Sequence, residues 1–136
     1  MAAMGSFDFS EIKKLAQDLK ELEQALPSFF EECVRELALI LLRKTVKRTP
    51  VDTGQLRRNW TIGPIRREGN GYEVELYNPT DYAAYVEFGH RLKRKEGWDW
   101  VEGRFMMTIS EQELDREMPA ILDRKMKRLL DRFMGG

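Results

Sequence analysis

Apolar residues recur every third or fourth position at both ends of this chain and every second position in its middle. That change of period restricts the fold more than any other feature. Near the N-terminus Ile12, Leu15, Leu19, Leu22 and Leu26 are spaced alternately by three and four. They share one helix face, with Lys13, Lys14, Asp18, Lys20 and Glu21 toward solvent and Ser10 as the cap. Pro27 is expected to end this helix. Ser28 with Glu31 then reads as a capping box for a second helix. Its Phe29, Phe30, Cys33, Val34, Leu37, Ala38, Ile40, Leu41 and Leu42 cover more than one face, which predicts the central helix of the core, ended by Pro50. Leu37, Ile40 and Leu41 are expected to share that core with Val74 of the middle segment. At the other end Leu114, Met118, Ile121, Leu122, Met126, Leu129, Leu130 and Phe133 form another helical stripe. Ser110 and Glu113 read as its capping box, and Pro119 is expected to kink or split it.

Between the helices the period falls to two. Asp52-Thr53-Gly54 is turn chemistry, and Leu56 and Trp60 suit a short helix. Trp60, Ile62 and Pro64 alternate as a strand, which Pro64 confines to an edge or a bulge. Glu68-Gly69-Asn70-Gly71 reads as a hairpin loop, and Tyr72, Val74 and Leu76 as the returning strand. Residues 82–89 fit a helical turn or a short strand equally. Residues 90–103 read as a long mobile polar loop, and Phe105, Met107 and Ile109 as a last strand. The expected fold is α+β: a small antiparallel sheet of about three to four strands packed against N-terminal helices and a C-terminal helix. With 136 residues, 1–136 is read as a single domain, residues 1–9 being a candidate disordered lead.

The residue inventory narrows the chemistry. Cys33 is the sole cysteine and His90 the sole histidine, too few for a disulfide framework or a structural zinc site. A single thiol in an apolar helix reads as a small hydrophobe and fits a reducing compartment. The longest wholly apolar run, 37–42, is far short of a membrane span, and the N-terminus lacks the pattern of a signal peptide. No phosphate loop, nucleophile elbow or metalloprotease helix is present. Glu73 and Glu75 share a strand face and read as solvated, and His90 as a loop histidine. The sequence therefore predicts no catalytic residues, no metal site, no cofactor and no enzyme.

Lys plus Arg equals Asp plus Glu, at 23 each, so bulk phosphate affinity is not expected. The middle nevertheless alternates in sign: residues 51–71 carry a net +2, 72–89 a net −4 and 90–104 a net +2. On charge alone such blocks read first as ordinary surface variation, and complementary surfaces on neighbouring copies come second. In the segment Arg91-Leu92-Lys93-Arg94-Lys95-Glu96-Gly97-Trp98-Asp99-Trp100, bases are interleaved with tryptophans. Arg91, Lys93, Arg94, Lys95, Trp98 and Trp100 read first as a protein assembly interface. Tryptophans folded back on the sheet come second and a nucleic-acid surface third.

Three motifs in order carry a family resemblance. Thr49-Pro50-Val51-Asp52-Thr53-Gly54-Gln55-Leu56-Arg57 resembles a Thr-Pro-Val-Asp-Thr-Gly-x-Leu-Arg signature. Tyr77-Asn78-Pro79-Thr80-Asp81-Tyr82-Ala83-Ala84-Tyr85-Val86-Glu87-Phe88-Gly89-His90 is similar to an Asn-Pro strand end followed by Tyr-Ala-x-Tyr-Val-Glu-Phe-Gly-His. Trp100-Val101-Glu102-Gly103-Arg104-Phe105-Met106-Met107 is similar to a Val-x-Gly-x-aromatic-Met segment. All three resemble the HK-ninety-seven-type gene-product-ten-like family of small tail components of long-tailed phages. The resemblance implies a structural virion protein of the neck and tail end, a tail-completion or head–tail joining protein of a phage or prophage. It would assemble in the host cytoplasm with other neck and tail proteins, as a ring around the DNA channel, six copies being the implied number. DNA contact in the channel is compatible with this; a membrane partner is not implied, and the free protein can still be a monomer. The alternative is a small nucleic-acid-binding or regulatory domain that uses residues 91–100.

The motif residues Pro50, Asp52, Thr53, Gly54, Leu56, Asn78, Pro79, Tyr82, Tyr85, Glu87, Phe88 and Gly89 read as fold punctuation. Asp52 suits a turn that binds backbone amides, and Gly54 suits a left-handed residue. Pro79 ends a strand. Tyr82, Tyr85, Val86 and Phe88 predict a densely packed apolar segment. Glu87 within it predicts a buried carboxylate paired with an arginine.

Overall fold

Two long antiparallel helices frame the molecule in a computed structural model that describes residues 9–51 and 54–135. Helix α1 (Ser10–Arg48) is one helix of 39 residues, where two were expected. Ser10 is its first residue, Phe9 stands at the cap position, and Ser28 and Glu31 lie in its interior. Pro27 is exposed inside it, so the bond it cannot make lies on the solvent side. The Pro27 carbonyl also accepts the Tyr72 hydroxyl at 3.3 Å, and the Phe30 and Tyr72 rings lie 6.3 Å apart. Helix α4 (Met106–Met134) likewise runs through an exposed Pro119.

Polar pairs set the register of the two helices. Glu36 pairs with Lys125, Lys44 with Glu117 at 2.9 Å and with Glu113 at 3.1 Å, and Arg48 with Glu113. Positions rise along α1 as they fall along α4, so the helices are antiparallel. Four small residues, Cys33, Ala38, Thr45 and Ser110, are buried in the two helices. Burial pushes the Cys33 thiol pKa up, as expected of a structural cysteine. Leu56, Met106, Leu114 and Leu129 complete the buried hydrophobic set. Leu37, Ile40, Leu41 and Val74, expected at the centre, are each half-buried because the sheet covers only part of α1.

Hydrogen bonds from Arg48, and then from Lys44, hold the Glu113 carboxyl below the ordinary glutamate range. Hydrogen bonds to Glu117 and Glu113 raise the Lys44 pKa. A depressed carboxyl contributes fully above its unfolded pKa and loses its contribution as pH falls through its folded one. The raised lysine keeps its contribution until pH exceeds its unfolded pKa. The urea midpoint of wild type should therefore exceed that of Glu113→Gln at neutral pH. The gap should close as pH drops below the ordinary glutamate range, and a gap constant into strong acid would contradict this assignment.

The middle segment forms α2 (Gln55–Arg58), then a hairpin split into two ladders. Strand β1 (Thr61–Ile62) pairs with β4 (Leu76–Tyr77), and β2 (Arg66–Glu68) pairs with β3 (Gly71–Glu73), both antiparallel. The pairing offset shifts by one residue between the ladders, at Pro64 and Ile65. That is the bulge expected of a proline without an N–H. Helix α3 (Ala83–Phe88) leads directly into β5 (Gly89–Arg94), which pairs antiparallel with β6 (Gly97–Glu102). The segment 90–103, expected to be a structureless loop, is thus a regular hairpin. The expected strand at 105–109 is instead the start of α4. Ser110 lies one turn inside that helix, donating to the Met106 carbonyl at 2.6 Å rather than capping. The fold is α+β, as the sequence implied, but the expected sheet of three to four strands is three separate two-stranded antiparallel ladders, of which β1–β4 and β2–β3 meet α1 while β5–β6 follows from α3.

Candidate assembly surface

The β5–β6 hairpin is fixed at its root by a joint built from two of the sequence motifs. Glu87, 4% exposed, points its carboxylate at the first turn of α4. The Met107 amide donates to both oxygens at 3.1 and 3.0 Å. The Thr108 amide and hydroxyl donate to Oε1 at 2.9 and 3.0 Å. The first amides of a helix have no partner within it, and its N-terminal end carries partial positive charge. A buried carboxylate satisfies both. The expected arginine partner of Glu87 is therefore replaced by backbone amides from the far side of the hairpin.

The backbone closes the joint. The Arg104 amide donates to the Val86 carbonyl at 2.7 Å, and the Phe105 amide to the Glu87 carbonyl at 3.0 Å. Phe105 has φ 49°, the one positive φ among described residues other than glycine. Gly89, at φ 91°, sits where a β-carbon would come within 2.6 Å of the Val101 carbonyl oxygen and 2.7 Å of Cζ2 of Trp100. Gly103 lies so close to 87–89 that its β-carbon would meet the Glu87 carbonyl oxygen and come within 2.6 Å of the Phe88 carbonyl carbon.

Register sorts the hairpin's side chains. Arg91 opposes Trp100 and Lys93 opposes Trp98, so these four share one face. Trp98 is 63% and Trp100 56% exposed, and Lys93 Nζ lies 5.9 Å from the centre of the Trp98 ring. The tryptophans are not folded back into the core, although the edge of Trp100 covers Gly89. Arg94 lies on the opposite face, paired with Asp99, and Lys95 is at the tip. The six expected interface residues thus divide into four on one face, one behind it and one at the turn.

His90 and Val101 occupy the other face, above a cleft of about 230 Å³ that Pro50, Leu56, Val86 and Arg104 help to line. The His90 ring meets Tyr85 edge-on at 5.6 Å. Tyr85 and Phe88 are 58% and 60% exposed and Tyr82 is also exposed, so the expected apolar packing segment keeps only Val86 half-buried. A six-residue helix has one inward side, and Glu87 occupies it. Leu56 is buried, and its carbonyl accepts the Asn78 amide at 2.8 Å. The Asn78 carbonyl oxygen accepts from the Thr80 amide and hydroxyl at 3.1 and 2.7 Å, and Pro79 follows β4 in an exposed position. Gly54 has φ 73°. Asp52 and Thr53 lie outside the described residues. Glu73 and Glu75 are exposed, and no metal-binding cluster occurs among the described residues. No helix of the described residues is long and apolar enough to cross a membrane.

Neither the curated proteins nor the solved structures contain a match to this chain. A family model described as "Bacteriophage HK97-gp10, putative tail-component" matches residues 13–89. The match takes in most of α1, the Asn78 turn, Glu87 and Gly89, and stops where the hairpin begins. It covers more than half of the sequence, and the chain belongs to this family of phage tail components, structural proteins that lie in the virion in contact with other tail proteins.

Proposed function

We propose that the chain is a tail-completion, or head–tail joining, protein that acts without catalysis, in a ring around the DNA channel of the neck. The observation that carries this reading is the hairpin face of Arg91, Lys93, Trp98 and Trp100. Two large aromatic side chains are held in solvent by a rigid root, and a lone domain has little use for such apolar surface. Tryptophan and arginine are the side chains most often found as anchors of protein interfaces. The acidic counterpart is present on the same chain: Glu73, Glu75 and Asp81 are all exposed. When one patch meets a different patch on the next copy, the contact is heterologous, and repetition closes a ring if the rotation permits. Six copies is the number the family resemblance suggests, with assembly in the host cytoplasm.

The same face supports a second reading, because bases beside aromatics can hold phosphates while nucleobases stack. Glu96, Asp99 and Glu102 in the same hairpin weigh against it.

The test is Trp98→Ala combined with Trp100→Ala. The variant should keep the wild-type urea midpoint, and phage carrying it should accumulate separate heads and tails. A variant that unfolds, or one that assembles infectious particles normally, overturns the interface. Salt-sensitive oligonucleotide binding by the free protein, lost in the same variant, would favour the second reading.

A further inference from the structure

The stripe of α1 that packs under α4 does not stop where α4 stops. Phe29 and Ala25 line a cleft of about 400 Å³ with Leu129 and Phe133 of the last turns of α4, and Met134 ends that helix. From there the stripe continues toward the N-terminus through Leu26, Leu22, Leu19, Leu15 and Ile12, still spaced by three and four. Leu22 and Leu26 are half-buried, while Leu19, Leu15 and Ile12 are 47%, 48% and 60% exposed. At 1.5 Å per residue the stretch from Ile12 to Leu26 is about 21 Å long. Its spacing is that of a two-helix seam, which buries only if another helix lies along it.

We propose that this stretch docks the same stretch of a second copy, antiparallel, across a two-fold axis. Three features select that occupant. The uncovered stretch continues an existing helix–helix contact, and a partner α1 lying antiparallel would run in the same direction as α4 and take up its course. One charge pair is available at the point of entry. The first turn of the partner helix brings in the partner's Glu11, and the last turns of α4 present Arg128 and Arg132 beside the groove. The seam is also its own complement. Leu15 would face the partner's Leu19, and Ile12 the partner's Leu22, with Ala16 beside the axis leaving room for close approach. Equivalent residues meet in both directions, as a two-fold contact requires. This surface is separate from the hairpin, and the inference does not rest on the neck role proposed above.

Sedimentation equilibrium of the full chain tests it. Wild type should show a reversible monomer–dimer equilibrium. Leu15→Glu combined with Leu19→Glu should be monomeric at the same concentrations with an unchanged circular dichroism spectrum, since both side chains are already exposed in one copy. Ala16→Cys should form a disulfide-linked dimer under mild oxidation. Wild type should not, because Cys33 is buried. A wild-type protein that stays monomeric to millimolar concentration overturns the proposal and leaves the stripe to a different protein. A dimer that survives both Glu substitutions places the contact elsewhere, and failure of Ala16→Cys to cross-link contradicts the antiparallel arrangement.

Discussion

Glu87→Ala should destabilise the isolated domain by about 3 kcal/mol, because two helix amides lose their acceptor at roughly 1–3 kcal/mol each. The Met107 and Thr108 amides have no alternative partner within α4, since the first amides of a helix never do. The Thr108 hydroxyl loses its acceptor as well. Glu87→Gln keeps one acceptor oxygen of the same reach and gives up only the charge facing the helix end. It should therefore lose markedly less. Urea midpoints of the two variants decide the matter. Equal losses would mean that the carboxylate acts by its charge alone, and no loss in Glu87→Ala would mean that water replaces it without cost.

Gly103→Ala should produce the second large loss, roughly 2–3 kcal/mol, the upper part of the range for inserting a methyl group where there is no room. The added carbon would meet backbone rather than flexible side chains: the Glu87 carbonyl, the Phe88 carbonyl carbon at 2.6 Å and the Gly89 nitrogen at 2.8 Å. Backbone cannot rotate away. To admit the methyl, the chain must lengthen the Arg104–Val86 and Phe105–Glu87 hydrogen bonds that hold the hairpin root. Gly71→Ala is the matched control, since its nearest neighbour would be the Glu68 carbonyl oxygen at an ordinary 3.6 Å. If the two alanine variants unfold at the same urea concentration, the close approach at Gly103 is not a constraint.

The helices and the split hairpin were legible in the sequence because each rests on local chemistry. Ile12 through Leu26 and Leu114 through Phe133 set a helical period, and Pro64 requires an edge or a bulge, of which the structure has the bulge. The misjudged elements depended on contacts between distant residues. Pro27 does not divide α1, because its exposed position costs one solvent-side bond while the packed flanks stay helical. Alternation at Phe105, Met107 and Ile109 has the period of a strand. A helix starts there because Glu87, some twenty residues earlier, supplies the acceptor its amides need. For the same reason backbone amides of Met107 and Thr108 stand where an arginine is expected beside Glu87. The β5–β6 hairpin did leave a signal: Trp98-Asp99-Trp100 alternates, and Glu96-Gly97 can turn. Its polar first strand hid this, because neither face of the hairpin is buried in the domain and the apolar half of the pattern is missing from β5. The sequence offers Arg91, Lys93, Arg94, Lys95, Trp98 and Trp100 as interface candidates by residue type alone. Only the register of Arg91 with Trp100 and Lys93 with Trp98 could divide them by face.

Hydroxyl-radical footprinting of the free protein and of purified phage particles tests the assembly account most directly. Trp98 and Trp100 should oxidise readily in the free domain, and Trp60, half-buried and donating its indole N–H to Thr49 at 2.8 Å, should oxidise slowly in both forms. In particles Trp98 and Trp100 should become strongly protected while Trp60 is unchanged. Equal oxidation of Trp98 and Trp100 in the free and assembled protein would show that the hairpin face stays in solvent, and would contradict its role as the contact that joins this protein to its neighbours.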